Sequence, residues 1–249
     1  MDKISFISGN NNIINNIIHT NLRYNKKYCF NFLNAYSVYL FRRNEMFRDS
    51  LINGSKHNYN FVDSFYVSLI LKIKYLKKIN RLQGPNFTEY FISNKELTTN
   101  KKLFFIGFEN KDLDYLTKKY KLKRNNLQAY NPPYIKESRF SDTDQKTIID
   151  LINKSKSDYV FIGVGNPKQE ILANDIIGKI NIKGIFNVGA AFDFITDKKK
   201  RSPSIYQKIG LEWLYRLITN YKYIRKRIIP TIKGVIYTFR HTKYKTLKI

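Results

Sequence analysis

The sequence predicts an α/β fold: a Rossmann-like, mainly parallel sheet with flanking helices, followed by a basic helical C-terminal appendage. Three observations carry this expectation. Short apolar runs of strand length alternate with longer segments of helical period, the pattern of strand–helix–strand units. Two of the runs end in glycine, at Gly163 and Gly189, just ahead of a helical pattern. The composition then changes at Asp197-Lys-Lys-Lys-Arg-Ser-Pro203, beyond which the chain is helical in pattern and strongly basic.

In chain order, the strands are expected at Ile4–Ser8, Tyr28–Leu33, Tyr59–Val62, Lys102–Ile106, Leu127–Tyr130, Tyr159–Ile162 and Gly184–Val188. Each is a short apolar run, too brief for a stable helix. Helical periodicity fills residues 35–53, 64–78, 87–97, 110–119, 141–154 and 167–178. No internal repeat or low-complexity linker interrupts the series. Residues 1–202 are therefore expected to form the α/β core, and 203–249 the appendage. In the latter, Ile209, Trp213, Leu214, Leu217 and Ile218 mark an apolar stripe, and Tyr221–Ile229 mixes aromatics with four cations.

Composition sets further bounds. Of 249 residues, 43% are hydrophobic, including 19 Tyr and 18 Phe, which is ample for a core and excludes wholesale disorder. Cys29 is the single cysteine and cannot form an internal disulfide, so a buried, inert thiol and a cytosolic setting are expected. The N-terminal residues lack a signal-peptide pattern. The longest apolar stretches, such as Phe65–Ile73 and Gly184–Phe194, fall short of a membrane span. Net charge is +26, and from Lys198 to Ile249 there are 15 Lys and Arg against the single acid Glu212. Part of the diffuse remainder fits a coding bias, but the concentrated tail implies a polyanionic neighbour, lipid or nucleic acid.

Chemistry concentrates in two segments. In Asp158–Ile171, DYVFIGVGNPKQEI, a strand ends at Gly163 and the backbone turns through Gly163 and Gly165. Asn166 is then read as an N-cap, Pro167 as the first helical residue and Gln169 as the third. A helix start at the carboxyl edge of a parallel sheet is a natural seat for a diphosphate or a sugar oxygen. The alternative is a capping box with no ligand. The run is not a GxGxxG, because Lys168 stands at the third glycine, which disfavours a nicotinamide enzyme. In the second segment, Gly184–Arg216, a strand ends at Gly189 and small residues let a ligand approach the backbone. Asp193 lies between Phe192 and Phe194. Taken alone, it reads more simply as an acid paired with a lysine.

The runs GVGNPKQE and VGAAFDFITDKKKRSPSIYQKIGLEWLYRL closely resemble the two signature blocks of the WecG/TagA/CpsF family, glycosyltransferase family 26. The similarity extends from about Asn34 to Ile229 and is strongest from Asp158 onward. It implies transfer of an amino sugar, such as N-acetylmannosamine or a related hexose, from a UDP-sugar donor. The implied acceptor is a polyprenyl-diphosphate-linked sugar. Carried onto matching positions, the resemblance makes Asp63 the general base and places Arg81, in RLQGPNF, on the donor sugar or phosphate. Asn34 matches the early TxN-like motif. Gln169 and Asp193 match residues that hold the donor sugar and the uridine end, and Arg216 an arginine that folds over the diphosphate. Phe32 in place of the TxN threonine, Ser64 in place of a glycine and Asn86 in place of a frequent aspartate depart from the pattern. They bear on sugar identity rather than reaction class.

An inverting transfer needs a base for the acceptor hydroxyl and positive potential for the departing UDP. Asp63 suits the first need, although it also reads as a cap for the following helix. Arg81, Arg216 and the helix start near Asn166 suit the second. Two DxD strings, Asp112–Asp114 and Asp142–Asp144, fall at predicted helix starts, where acids favour the positive end. Both read as structural, and catalysis without a metal or other cofactor is expected. His19, His57 and His241 have no ligand spacing and read as solvated or loop residues. There is no Ser-His-Asp or CxxC arrangement.

The basic tail reads as a membrane-surface helix, a nucleic-acid patch or a solvated face. Trp213, Tyr215, Tyr221 and Tyr223 favour the first, and the resemblance agrees. The expected setting is thus peripheral, on an anionic membrane at the cytoplasmic face, with a homo-oligomer left open and no nucleic acid bound. A basic nucleic-acid-binding α/β protein is the competing reading.

Overall fold

The computed structural model describes residues 2–52, 58–219 and 221–246, without the side chains of residues 216 and 221–224. His57 lies outside the described residues, as do the side chains of Arg216, Tyr221 and Tyr223.

The chain runs β1 (Ile4–Phe6), α1 (Asn11–Arg23), β2 (Tyr28–Leu33), α2 (Ala35–Arg43), α3 (Glu45–Ile52), β3 (Asn58–Val62), α4 (Phe65–Tyr75), α5 (Gly84–Ser93) and α6 (Lys95–Thr98). It continues through β4 (Leu103–Ile106), α7 (Asn110–Tyr120), β5 (Leu127–Tyr130), α8 (Asp142–Ser155), β6 (Tyr159–Ile162), α9 (Lys168–Ile176), β7 (Gly184–Asn187) and α10 (Ala191–Ile195). The C-terminal elements are α11 (Ser204–Lys208), α12 (Glu212–Thr219), α13 (Tyr221–His241) and β8 (Thr242–Tyr244).

Six strands form one parallel sheet in the order β3-β2-β7-β6-β4-β5, as an α/β fold requires. Sheet faces covered by helices demand strands apolar on both sides, and β2, β4, β6 and β7 are buried throughout. One face is an aromatic core. Phe30 lies 5.1–5.5 Å, ring centre to ring centre, from Phe61, Phe87 and Phe186, and Phe91 packs on Phe161 and Phe186. The opposite face carries Ile106, Val160, Ile162 and Ile185, with Ile148, Ile152, Leu172 and Ile176 of α8 and α9.

Three expectations change. Helix α1 has no counterpart in the predicted elements, yet it buries Ile14, Ile17 and Ile18, and the Asn10 side chain caps it through the Ile13 N–H at 2.9 Å. The segment 35–53 is two helices broken at Asn44, whose side chain caps the second through the Phe47 N–H. The first predicted strand stands apart from the main sheet: it pairs in parallel with β8, and just past it an Ile7–Phe61 bridge joins the chain to β3.

The C-terminal helices fold back over the core. Helix α13 crosses α2 so closely that a Cβ at Gly234 would collide with the Ala35 carbonyl. The apolar stripe of residues 209–218 is not buried as a core face would be: Ile209, Trp213 and Ile218 are exposed. Nor is His241 solvated. It is 5% exposed, edge-on to Tyr237, and burial followed by Arg42, Arg240 and Lys3 holds its imidazole below the ordinary range.

Candidate functional site

Parallel strands deliver the residues that follow them to one edge, so the carboxyl ends of β3, β2, β7 and β6 form a continuous rim. Asp63 follows β3 and Asn34 follows β2, and the Asp63 N–H donates to the Leu33 carbonyl at 3.0 Å. Gly189 follows β7 and Gly163 follows β6. A Cβ on Gly163 would lie 3.0 Å from the Gly189 carbonyl oxygen and strike the Phe192 ring, so only glycine lets the two strand ends meet. Three strand spacings separate the Asp63 end from Gly163, roughly 14 Å. After β4 the chain turns outward to β5, whereas after β6 it turns to β7 on the other side, and such a reversal opens a crevice at the carboxyl edge.

Loop 163–169 fills the middle of the rim, in a different manner from the capping expectation. The Asn166–Pro167 peptide is cis, Pro167 occupies the cap position and α9 begins at Lys168. Asn166 therefore does not cap the helix. Its side-chain amide donates to Glu170 Oε1 at 2.6 Å, and its nitrogen stands 3.5 Å from Ser37 Oγ on α2. Gln169 binds the loop internally: its Oε1 accepts the Gly165 N–H at 3.1 Å and its Nε2 donates to the same Glu170 oxygen at 2.9 Å. Gly165 (φ +83°) and Gly189 (φ +58°) hold the left-handed backbone these turns need. A Cβ on Gly189 would sit 3.7 Å from Gln169 Oε1, so the two glycine turns share one polar side chain. The expected anion seat at the α9 start is thus partly occupied by the protein's own groups.

Glu170 is a site residue that the sequence reading did not single out. It is 2% exposed, its Oε2 has no hydrogen-bond partner among the described residues, and desolvation pushes its carboxyl up to about 8. It borders a cavity of about 10 Å³ with Cys29, Asn31 and Ala173, close to the space one water needs. Below the rim a buried amide ladder crosses the sheet. Asn31 donates to Asn60 at 2.9 Å, and Asn187 donates to Asn31 at 2.7 Å. Asn34 is engaged as well, in a reciprocal capping box with Ser37 at the start of α2. Cys29 is buried as expected, and burial pushes its thiol far up.

The Asp63 end is built by a returning loop. The Leu82 N–H donates to the Val62 carbonyl at 2.8 Å, which brings Arg81 beside the end of β3. Ser64 holds the N-cap position of α4 without a side-chain cap hydrogen bond, and Asp63 stands just before it at the end of β3. Arg81 stacks 5.8 Å over Phe65 and donates to the Gln207 carbonyl on α11 at 3.0 Å. Gln83 accepts from Arg201 and donates to Glu212, so the RLQGP turn is also tied to the C-terminal segment. Asp193 pairs with Lys199 at 2.6 Å, which is its simpler reading. Phe32 is 5% exposed between Phe61 and Phe87 and belongs to the aromatic core. Asn86 leans on Gln83.

The DxD acids are engaged singly. Asp112 pairs with Lys198, Asp114 with Arg124 and Asp142 with Arg139, while Asp144 bonds the capping Ser141. Among the described residues, no group of three or more His, Cys, Asp or Glu could hold a metal ion, and no helix is long and apolar enough to cross a membrane.

The profile of the Glycosyl transferase WecG/TagA/CpsF family matches residues 6–248. The chain is also similar to proteins of Staphylococcus aureus named N-acetylglucosaminyldiphosphoundecaprenol N-acetyl-beta-D-mannosaminyltransferase. That of strain MRSA252 is 34% identical over 92 residues, 36% of each chain. That of strain NCTC 8325 / PS 47 is 29% identical over 133 residues, 53% of this chain and 50% of the relative. These alignments thus span half or less of the relatives' length. With nearly every residue inside the family profile, and both signature blocks seated on one sheet edge, this chain belongs to the WecG/TagA/CpsF glycosyltransferase family.

Proposed function

We propose that the protein is an inverting glycosyltransferase that moves a sugar from a UDP-sugar onto a polyprenyl-diphosphate-linked acceptor sugar in cell-surface polysaccharide synthesis. The observation that carries this reading is the convergence of Asp63, Arg81, the 163–169 loop and the Gly189 turn on one carboxyl edge. The named activity of the staphylococcal relatives supports the acceptor class. The UDP-sugar donor, N-acetylmannosamine-like or a related hexose, is the fitting partner for a rim lined by amides and an arginine.

In this reading Asp63 takes the proton of the acceptor hydroxyl as that oxygen attacks the anomeric carbon from the face opposite UDP, inverting the centre. Arg81 and Arg216 meet the charge that develops on the departing diphosphate, a task for which the planar guanidinium suits phosphate oxygens. In the same reading Asn34, Asn166, Gln169 and Asp193 serve the donor side of the rim, Gly165 and Gly189 admit the ligand close to the backbone, and Gly163 lets the two strand ends that form the donor side meet. Because the DxD acids are committed elsewhere, the reaction is proposed to run without a metal. We further propose that residues 1–202 act as the catalytic core and that 203–249 hold it at an anionic membrane surface on the cytoplasmic side.

The test is a panel of UDP-sugars offered with a synthetic polyprenyl-diphosphate acceptor in detergent, with and without EDTA. Transfer from one UDP-sugar that is unchanged by EDTA is the expected result. Loss of turnover with EDTA removes the metal-free mechanism. Absence of transfer from any UDP-sugar, together with no thermal shift by UDP and a shift by oligonucleotides, overturns the reading.

A further inference from the structure

Helix α4 presents a surface that folding does not explain. Leu69, Ile73 and Leu76 recur at helical spacing along one side and are 42%, 61% and 91% exposed. Leu76 ends the helix with φ +49°, a left-handed position where helices ordinarily place glycine. The chain therefore holds a large apolar residue where both backbone preference and solvation oppose it. Beside it, α13 shows the same pattern, with Ile232, Ile236 and Phe239 at 55–65% exposure. The two helices meet directly: Lys74 Nζ donates to the Phe239 and Thr242 carbonyls and lies 5.8 Å from the Phe239 ring.

Charge around this face has one sign. No acid occurs from Ser64 to Thr88 or from Trp213 to Ile249, while Lys72, Lys77, Lys78, Lys233 and Arg240 stand exposed along its margins. Apolar residues on two neighbouring helices, rimmed by cations and with no carboxylate on either helix, match the interface of an anionic bilayer rather than a protein partner of mixed charge. Neither helix is long and apolar enough to span, so the contact is lateral. Helix α4 begins two residues after Asp63 and is 11 residues long, so its exposed apolar side runs from Leu69, about one turn from the rim, to Leu76, about 16 Å away at the far end.

We infer that the outer side of α4, joined to α13, is a lipid-contact face through which the catalytic core itself, and not the C-terminal helices alone, rests on an anionic membrane. This rests on the proposed use of a membrane-borne acceptor, which it deepens by placing the bilayer against the helix that follows Asp63.

The experiment is flotation of the full-length protein with phosphatidylglycerol-containing vesicles, against vesicles of phosphatidylcholine alone. Wild type is expected to float with the anionic vesicles. Ile73→Glu/Leu76→Glu is expected to lower the bound fraction roughly tenfold or more, and Lys72→Glu/Lys77→Glu to weaken binding in a salt-dependent manner. Unchanged thermal midpoints, and unchanged transfer to a short-chain water-soluble acceptor, would show that both variants remain folded. Flotation of both α4 variants equal to wild type overturns the inference. So does a wild-type dimer in light scattering that the apolar variant dissociates without changing flotation, since a second copy then covers the face. Flotation needs no sugar transfer, so its failure is distinct from failure of the UDP-sugar panel.

Discussion

Glu170 is the residue with the most direct pH consequence. Its carboxyl is raised by burial to about 8 in the folded protein, against an ordinary value of 4.5. The folded state therefore holds a proton that the unfolded chain releases, and stability falls as pH rises from about 4.5 to about 8. Glu170→Gln removes this dependence while keeping an oxygen to receive Asn166 and Gln169. Thermal midpoints measured from pH 5 to 9 are expected to show wild type losing ground to the variant by a few kcal/mol at most. Equal pH profiles would place the proton elsewhere. For Asp63, replacement by Asn preserves shape but removes the base, so kcat should drop about 10²–10⁴-fold with UDP binding retained. The placement of Asp63, Gly163 and Gly189 at strand ends was legible in the sequence because they stand next to apolar runs of strand length. Glu170 was not, since nothing local says that a glutamate one residue after Gln169 turns inward. The helix start misled for a related reason. An Asn-Pro pair reads as a cap and first turn when its peptide is taken as trans, and here it is cis.

Among elements, the strands were the most readable, because both-face burial in a parallel sheet demands continuous apolar runs. Helix α1 escaped because its Asn-rich sequence has poor intrinsic propensity, and four isoleucines folded against the aromatic core outweigh that deficit. The crossing of α13 over α2 was equally hidden, since it depends on Gly234 meeting the Ala35 backbone from 199 positions away (234 against 35). Any side chain there must push the helices apart. Gly234→Val is therefore expected to destabilise by about 1–3 kcal/mol, seen as a lower denaturant midpoint with faster proteolysis of the C-terminal segment. An unaltered midpoint would mean that α13 can slide without penalty.

At the scale of the whole molecule, topology gathers what the sequence scatters. Asn34, Asp63, Gly163 and Gly189 come from four separate strand ends, and the order β3-β2-β7-β6 makes them neighbours. A ligand that bridges such an edge stabilises the fold by binding only when all four ends are in place. UDP at 100 times its dissociation constant is expected to add about 2.7 kcal/mol, read as a rise in thermal midpoint that NAD does not produce. Lack of any rise with UDP would separate the rim from nucleotide binding. The pairing of β1 with β8 carries a different consequence, one of timing. Ile4 lies against Thr242, 238 positions later, so at ordinary translation speeds of about 5–20 residues per second the first strand waits roughly 10–50 s for its partner to leave the ribosome. During that interval the main sheet can form while the small one cannot. Closure of the β1–β8 ribbon is then the step that locks the C-terminal helices onto a core already assembled beneath them.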